Sequence, residues 1–129
     1  MATYMISIHR QYFDAIASGE KRWELRTRVP KRLASGDTIL VCLPKSNGKV
    51  VGSFVVDNLL IMHPQNSWVK FGDDFAITED AYAAYFAGYT LAYMIGITDM
   101  HIFSRPRHIS DYGVKVAPMW FTEIRNGYV

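Results

Sequence analysis

A small mixed α+β domain with a barrel-like sheet is the fold class that the sequence predicts, and three observations predict it. Half of the 129 residues are hydrophobic, enough to bury a core without disulfide or metal staples. Apolar residues alternate with a period of two in several segments and switch to helical spacing in two others. Glycine and Asp-Asn pairs interrupt the longest strand-like run where a sheet must bend. The length accommodates one domain, 1–129, with no repeat, linker or low-complexity tract.

The elements follow in order. Tyr4 to His9 alternates Tyr4, Ile6 and Ile8 against Met5, Ser7 and His9, a half-buried strand with Ser7 and His9 pointing away from the core. Gln11 to Ser18 pairs Tyr12 with Ile16 and Phe13 with Ala17 at helical spacing, and Gly19 stands where a helix closes on a left-handed residue. Arg22 to Arg28 is a strand with Trp23 and Leu25 on one face and Arg22, Glu24, Arg26 and Arg28 on the other, ended by Pro30. Ser35-Gly36-Asp37 is a turn into the buried strand Thr38 to Leu43. Asn47-Gly48 signals a hairpin, with a loop from Pro44 longer than the tight two-residue type, to Lys49–Met62, whose length calls for a bulge at Gly52 or at Asp57-Asn58.

The stretch His63 to Asp74 reads as a loop with a piece of strand. Thr78 offers an N-cap, Glu79 and Asp80 suit a first turn, and Tyr82, Tyr85 and Phe86 repeat at helical spacing before Gly88, giving a second helix. Tyr89 to Phe103 is apolar, β-branched and aromatic, and Gly96 makes it a bulged strand. Ser104 to Gly113 is a polar connection, and Ala117 to Arg125 a closing strand.

Composition excludes several functional classes. No apolar run is long enough to span a membrane, and the first residues lack the pattern of a signal peptide, so a cytoplasmic protein is expected. The only cysteine, Cys42, lies in an apolar strand and reads as packing. His9, His63, His101 and His108 are scattered, no metal-ligand spacing is present, and neither a metal nor a cofactor is expected. Nucleotide-binding glycine loops and a nucleophile-elbow serine are missing as well.

A net charge of +2 does not by itself argue for nucleic acid, but its distribution is uneven. Positions 21 to 32 hold six basic residues against one acid, Glu24, a local +5. A solvated face would account for such a run. Within it, however, Gly19 ends a helix, and the next strand aims Glu24 and Arg26 from one face with Lys21 just outside it. One acceptor between two cationic donors can read the edge of a nucleobase or hold a phosphate. An ion pair on the surface would be the plainer outcome. Among the aromatics, Trp23 reads as core, and Tyr85 and Trp120 are the candidates to stack on a base. His9 lines the same groove if the first two strands pair.

The segments ISIHRQYFDAIASGEKRWELR, SGDTILVCLP, KVVGSFVVDNLL, YFAGYTLAYMIGI and SRPRHISDYGVKVAPMWF resemble the ASCH-domain family over nearly the whole chain. The family's GxKxxExR motif is matched by Gly19, Lys21, Glu24 and Arg26, with Gly36-Asp37, Pro118 and Trp120 as further points of likeness. The resemblance implies an α+β, PUA-like mixed β-barrel with two or three short helices packed on it. It also implies an open cleft where the motif faces RNA or a nucleoside-like small molecule, and a role in RNA binding or transcription-linked regulation.

Part of that superfamily resembles metal-independent amidohydrolases that deacetylate N4-acetylcytidine with a lysine, a threonine three residues later and a distant glutamate. This chain has Lys21, but Glu24 stands in the threonine's place, and Thr27 falls on the opposite strand face. An enzyme here would use Lys21 and Glu24, with Glu24 as a general base weakened by its cationic neighbours and Lys21 or Arg26 holding the oxyanion. A protein-interaction domain whose groove receives a peptide is the third alternative.

Overall fold

The computed structural model describes residues 1–128, and in them the period-two runs become six strands. In chain order the elements are β1 (Thr3–Ser7), α1 (Arg10–Ser18), β2 (Trp23–Arg26), β3 (Thr38–Cys42), β4 (Lys49–Met62), α2 (Pro64–Phe71), α3 (Glu79–Tyr85), β5 (Ala92–His108) and β6 (Thr122–Glu123). Short 3-10 turns occupy Gly72–Asp74, Ile109–Tyr112 and Asn126–Tyr128. The strands form one mixed sheet in the order β2-β5-β4-β3-β1-β6, in which β1 and β3 are parallel and the remaining pairs antiparallel. The sheet curls into a half-barrel with the helices packed on it.

Curvature arises where the sequence suggests it. The β4–β5 ladder shifts register between Val50 and Gly52, again between Ser53 and Val55, and again between Val56 and Leu59, a span that includes Asp57-Asn58. A side chain at Gly52 would meet the His101 carbonyl and the ring of Phe13, so the strand folds over α1 only because nothing projects there. The hairpin loop from Pro44 to Gly48 is longer than the tight two-residue type, closed by the Leu43 N–H on the Lys49 carbonyl at 3.0 Å, with Lys45, Asn47 and Gly48 at positive φ of 56°, 60° and 81°.

Three apolar clusters hold the molecule together. Ile6, Ile39, Val41, Phe54 and Val56 fill the hollow of the half-barrel, where Phe13 and Ile16 seat α1. Met5, Leu40, Cys42 and Val50 pack on the other face under Ile109 and Tyr112. Met5, on the strand face it shares with Ser7, is fully buried because the inner strand β1 is covered on both faces. The third cluster joins Leu25 and Met94 to Phe75, Tyr82 and Phe86, and so docks α3 onto the edge of the sheet. Asp37, also buried, accepts the backbone N–H of Ala2 at 2.9 Å and of Ala34 at 2.9 Å, tying the first residues to the turn before β3.

Several expectations are corrected. The loop and strand piece assigned to 63–74 is helix α2 followed by a 3-10 turn. His63 caps the helix, its Nδ1 accepting the Gln65 N–H at 3.1 Å, and Pro64 occupies the first turn, where its missing N–H costs nothing. The polar stretch from Ser104 continues as strand to His108 because the ladder with β4 carries it, with Lys49 opposite His108 and Val50 opposite Arg107. The closing strand shrinks from Ala117–Arg125 to Thr122–Glu123. The residues before it cross the end of β1 as irregular chain, fixed where the Ser7 hydroxyl donates to the Pro118 carbonyl at 2.7 Å. Among the described residues, no helix is long and apolar enough to cross a membrane.

Candidate functional site

The turn after α1 is set by Gly19, which takes the left-handed conformation at φ 84° and donates its N–H to the Ile16 carbonyl. The Lys21 N–H then bonds the Ala15 carbonyl at 3.0 Å, which folds the chain back under the helix and fixes where Lys21 starts. The strand alternation of β2 does the rest, sending Glu24 and Arg26 to one side.

That side is not the solvated face the charge run suggests. Lys21 and Glu24 are only 4% and 6% exposed, and they lie in a cleft of about 620 Å³ between the end of β1, α1, β2 and α3. Arg26 Nη2 and Nε donate to Glu24 Oε2 at 2.7 and 3.0 Å, and Nη2 also donates to the Ser7 carbonyl at 3.0 Å. The ion pair is therefore largely buried rather than on the surface, and both partners are shielded from competing water. Glu24 Oε1 has no hydrogen-bond partner among the described residues, and it is not sealed from solvent. It is an acceptor presented to whatever enters.

Lys21 Nζ donates to the Phe75 carbonyl at 2.9 Å and lies 5.3 Å from the centre of the Tyr12 ring. One ammonium proton is thus used, and the other two have no acceptor among the described residues. Burial pushes the Lys21 pKa below its ordinary value, the Glu24 carboxylate opposes that shift, and the Arg26 charge adds to it. Tyr85, 42% exposed, stands over the other wall on α3 with its hydroxyl donating to the Leu25 carbonyl at 3.3 Å. Burial of that hydroxyl raises its pKa, so it stays a neutral donor.

Of the six residues nominated from sequence, the cleft brings together His9, Lys21, Glu24, Arg26 and Tyr85. His9 arrives by a different route from the one expected. β2 pairs with β5 and not with β1, and the end of β1 reaches the motif through the bond from Arg26 to Ser7. Trp120 is outside the cleft lining: its indole N–H donates to the Arg28 carbonyl at 3.3 Å and its ring faces the Arg28 guanidinium. Tyr12, Ile77, Ala81 and Ala84 line the walls without having been singled out. Tyr12 carried no signal of its own, since its spacing with Ile16 reads as core and it does pack, partly buried, against the core cluster while one side of it reaches the cleft. Among the described residues, no three His, Cys, Asp or Glu side chains gather as a metal site.

Comparison with known proteins places this geometry. A crystal structure of ASCH from Zymomonas mobilis matches with a TM-score of 0.86 at 22% identity, covering 98% of this chain and 90% of that one. A tyrosine-to-phenylalanine variant of the same protein matches with a TM-score of 0.86 at 23% identity, over 96% of this chain and 91% of that one. The N-terminal domain of Staphylothermus marinus McrB is more distant, with a TM-score of 0.50 at 10% identity over 84% and 77% of the two chains. At these identities the likeness establishes the fold, PUA-like as expected. No curated protein matches the chain. The ASCH domain model matches residues 6–101, well over half of the sequence, and the protein therefore belongs to the ASCH domain family.

Proposed function

We propose that the cleft binds a nucleobase, presented by RNA or by a nucleoside-like small molecule. The observation that carries this reading is the unpaired Oε1 of Glu24 between the spare donors of Lys21 and the guanidinium of Arg26, beneath the exposed ring of Tyr85. An acceptor flanked by donors matches the edge of a base that offers an amino group beside a carbonyl, and a tyrosine above it supplies a stacking face. The volume lies in the range of small-molecule pockets, and Ile8, Leu25, Ile77 and Ala81 supply apolar wall against which a base can pack.

Fluorescence anisotropy with single-stranded and structured RNA at low salt, together with calorimetric titration of the common nucleosides, tests this. Binding is expected to weaken at least about tenfold in Lys21→Ala, since a hydrogen bond from a charged donor is removed from a shielded site. Wild-type protein that bound neither RNA nor any nucleoside would refute the reading.

The burial of Lys21 favours a second reading, a metal-independent amidohydrolase acting on a modified nucleoside such as N4-acetylcytidine. A lowered pKa increases the share of neutral amine, the form that takes a proton from attacking water. Water would add to the acetyl carbonyl, the amide C–N bond would break, and the cytosine amino group would leave with a proton, giving cytidine and acetate. The rate is then expected to rise with pH through the lowered pKa of Lys21, because below it the amine is protonated and cannot act as base. Chromatography of the products checks it: turnover that survived in both Lys21→Ala and Glu24→Ala would remove these residues from the chemistry.

A further inference from the structure

The cationic run does not end at the cleft. Arg28 lies two residues past β2, exposed, and its guanidinium has no acceptor among the described residues. It is nevertheless held in place: its carbon sits 4.2 Å from the centre of the Trp120 ring, and the Trp120 indole N–H bonds the Arg28 carbonyl. Trp120 meets Phe121 edge-on at 5.4 Å, and the Phe121 ring lies 5.6 Å from the guanidinium carbon of Arg26. A chain of aromatic and cation–π contacts therefore leads from Arg26, the partner of Glu24, through Phe121 and Trp120 to Arg28. The segment that carries Trp120 is pinned by the Ser7 hydroxyl on the Pro118 carbonyl, so these contacts are built in advance of any ligand.

A guanidinium laid on an indole keeps its second face and its donor fork available. Such a group can stack under an unpaired base and grip a phosphate with two parallel bonds, which a free nucleoside has no use for. Building on the cleft reading above, we infer that the ligand is a single-stranded RNA, and that Arg28, held flat by Trp120, receives the nucleotide adjoining the one in the cleft. The pair is a second subsite, separate from the motif, and it selects for a polymer.

The experiment compares the affinity of a short mixed-sequence single-stranded RNA with that of the common nucleosides in wild type, Arg28→Ala, Arg28→Lys and Trp120→Ala. RNA is expected to bind more tightly than any nucleoside, and the ratio of the two affinities to fall by about tenfold in Arg28→Ala and in Trp120→Ala. The slope of log affinity against log salt should become shallower by about 0.7 in Arg28→Ala and stay unchanged in Arg28→Lys, which keeps the charge and loses the flat stack. Should Trp120→Ala fail to fold, the two Arg28 variants decide the matter. Nucleosides that bind in a Lys21-dependent way while RNA gains nothing would leave the cleft reading standing and overturn this one. The same holds if the affinity ratio is unmoved in the Arg28 variants. Absence of all binding overturns both.

Discussion

Replacing Glu24 by leucine is expected to lower the unfolding free energy by about 2–3 kcal/mol, and adding Arg26→Met is expected to restore most of that loss. The single change strands a guanidinium that is only 16% exposed and retains just the Ser7 carbonyl as partner. Arg26→Met alone strands the Glu24 carboxylate, 8% exposed, which has no other hydrogen-bond donor among the described residues. The double variant exchanges both charges for apolar groups of similar length, and the desolvation cost disappears along with the attraction. Urea unfolding of the four proteins measures the coupling directly, provided the m-values agree. Losses that simply add would mean that the pair is no more than a surface contact. Ligand binding should be lost in all three variants, the well-folded double included, which separates the pair's role in the cleft from its role in stability.

Phe75→Ala is expected to cost about 3–5 kcal/mol and to weaken binding, although the ring of Phe75 does not line the cleft. The side chain is fully buried, lies nearly parallel to Tyr82 at 5.6 Å and touches Trp68, so its removal opens a void beneath α3. Two cleft residues depend on that place: α3 carries Tyr85, and the Phe75 carbonyl holds Lys21 Nζ. Phe75→Leu, which leaves a smaller void, should lose less of both properties. The check is denaturant unfolding paired with titration of RNA at a temperature where the variant remains folded. A stability loss near 0.5 kcal/mol, the scale of a surface substitution, would show that the third cluster does not hold the cleft wall.

Much of this arrangement is legible in the amino-acid order, because local rules govern it. Gly19 closes α1, Thr78 caps α3 with its hydroxyl accepting the Ala81 N–H, and the strand alternation puts Glu24 and Arg26 on one side. What was hidden depends on partners distant in sequence. Glu24 alternates like a surface residue, and it is buried by elements distant in sequence, the end of β1 and α3, that close the cleft around it. Helix α2 is not legible because its N-cap is a histidine rather than Ser, Thr, Asp or Asn and its large apolar residues, Trp68, Val69 and Phe71, crowd its second half, leaving Pro64 as the one clear mark. Trp120 is nominated as a base stacker for its aromatic ring, but that it stands beside Arg28 and outside the cleft lining follows from an irregular segment whose path no periodicity encodes.

β2 lies at the edge of the sheet and has β5 as its one neighbour, with Trp23 opposite Gly96 and Arg26 opposite Tyr93. The GxKxxExR segment therefore leaves the ribosome well before the residues around Gly96, and until they follow, it has no strand to zip onto. A nascent chain halted before Ala92 holds every charged group of the motif but lacks the backbone ladder that aligns them. Such non-local pairing makes for slow assembly, and the cleft is complete only once β5 has been made. A peptide cut from the motif alone would bind as a mere cluster of charges.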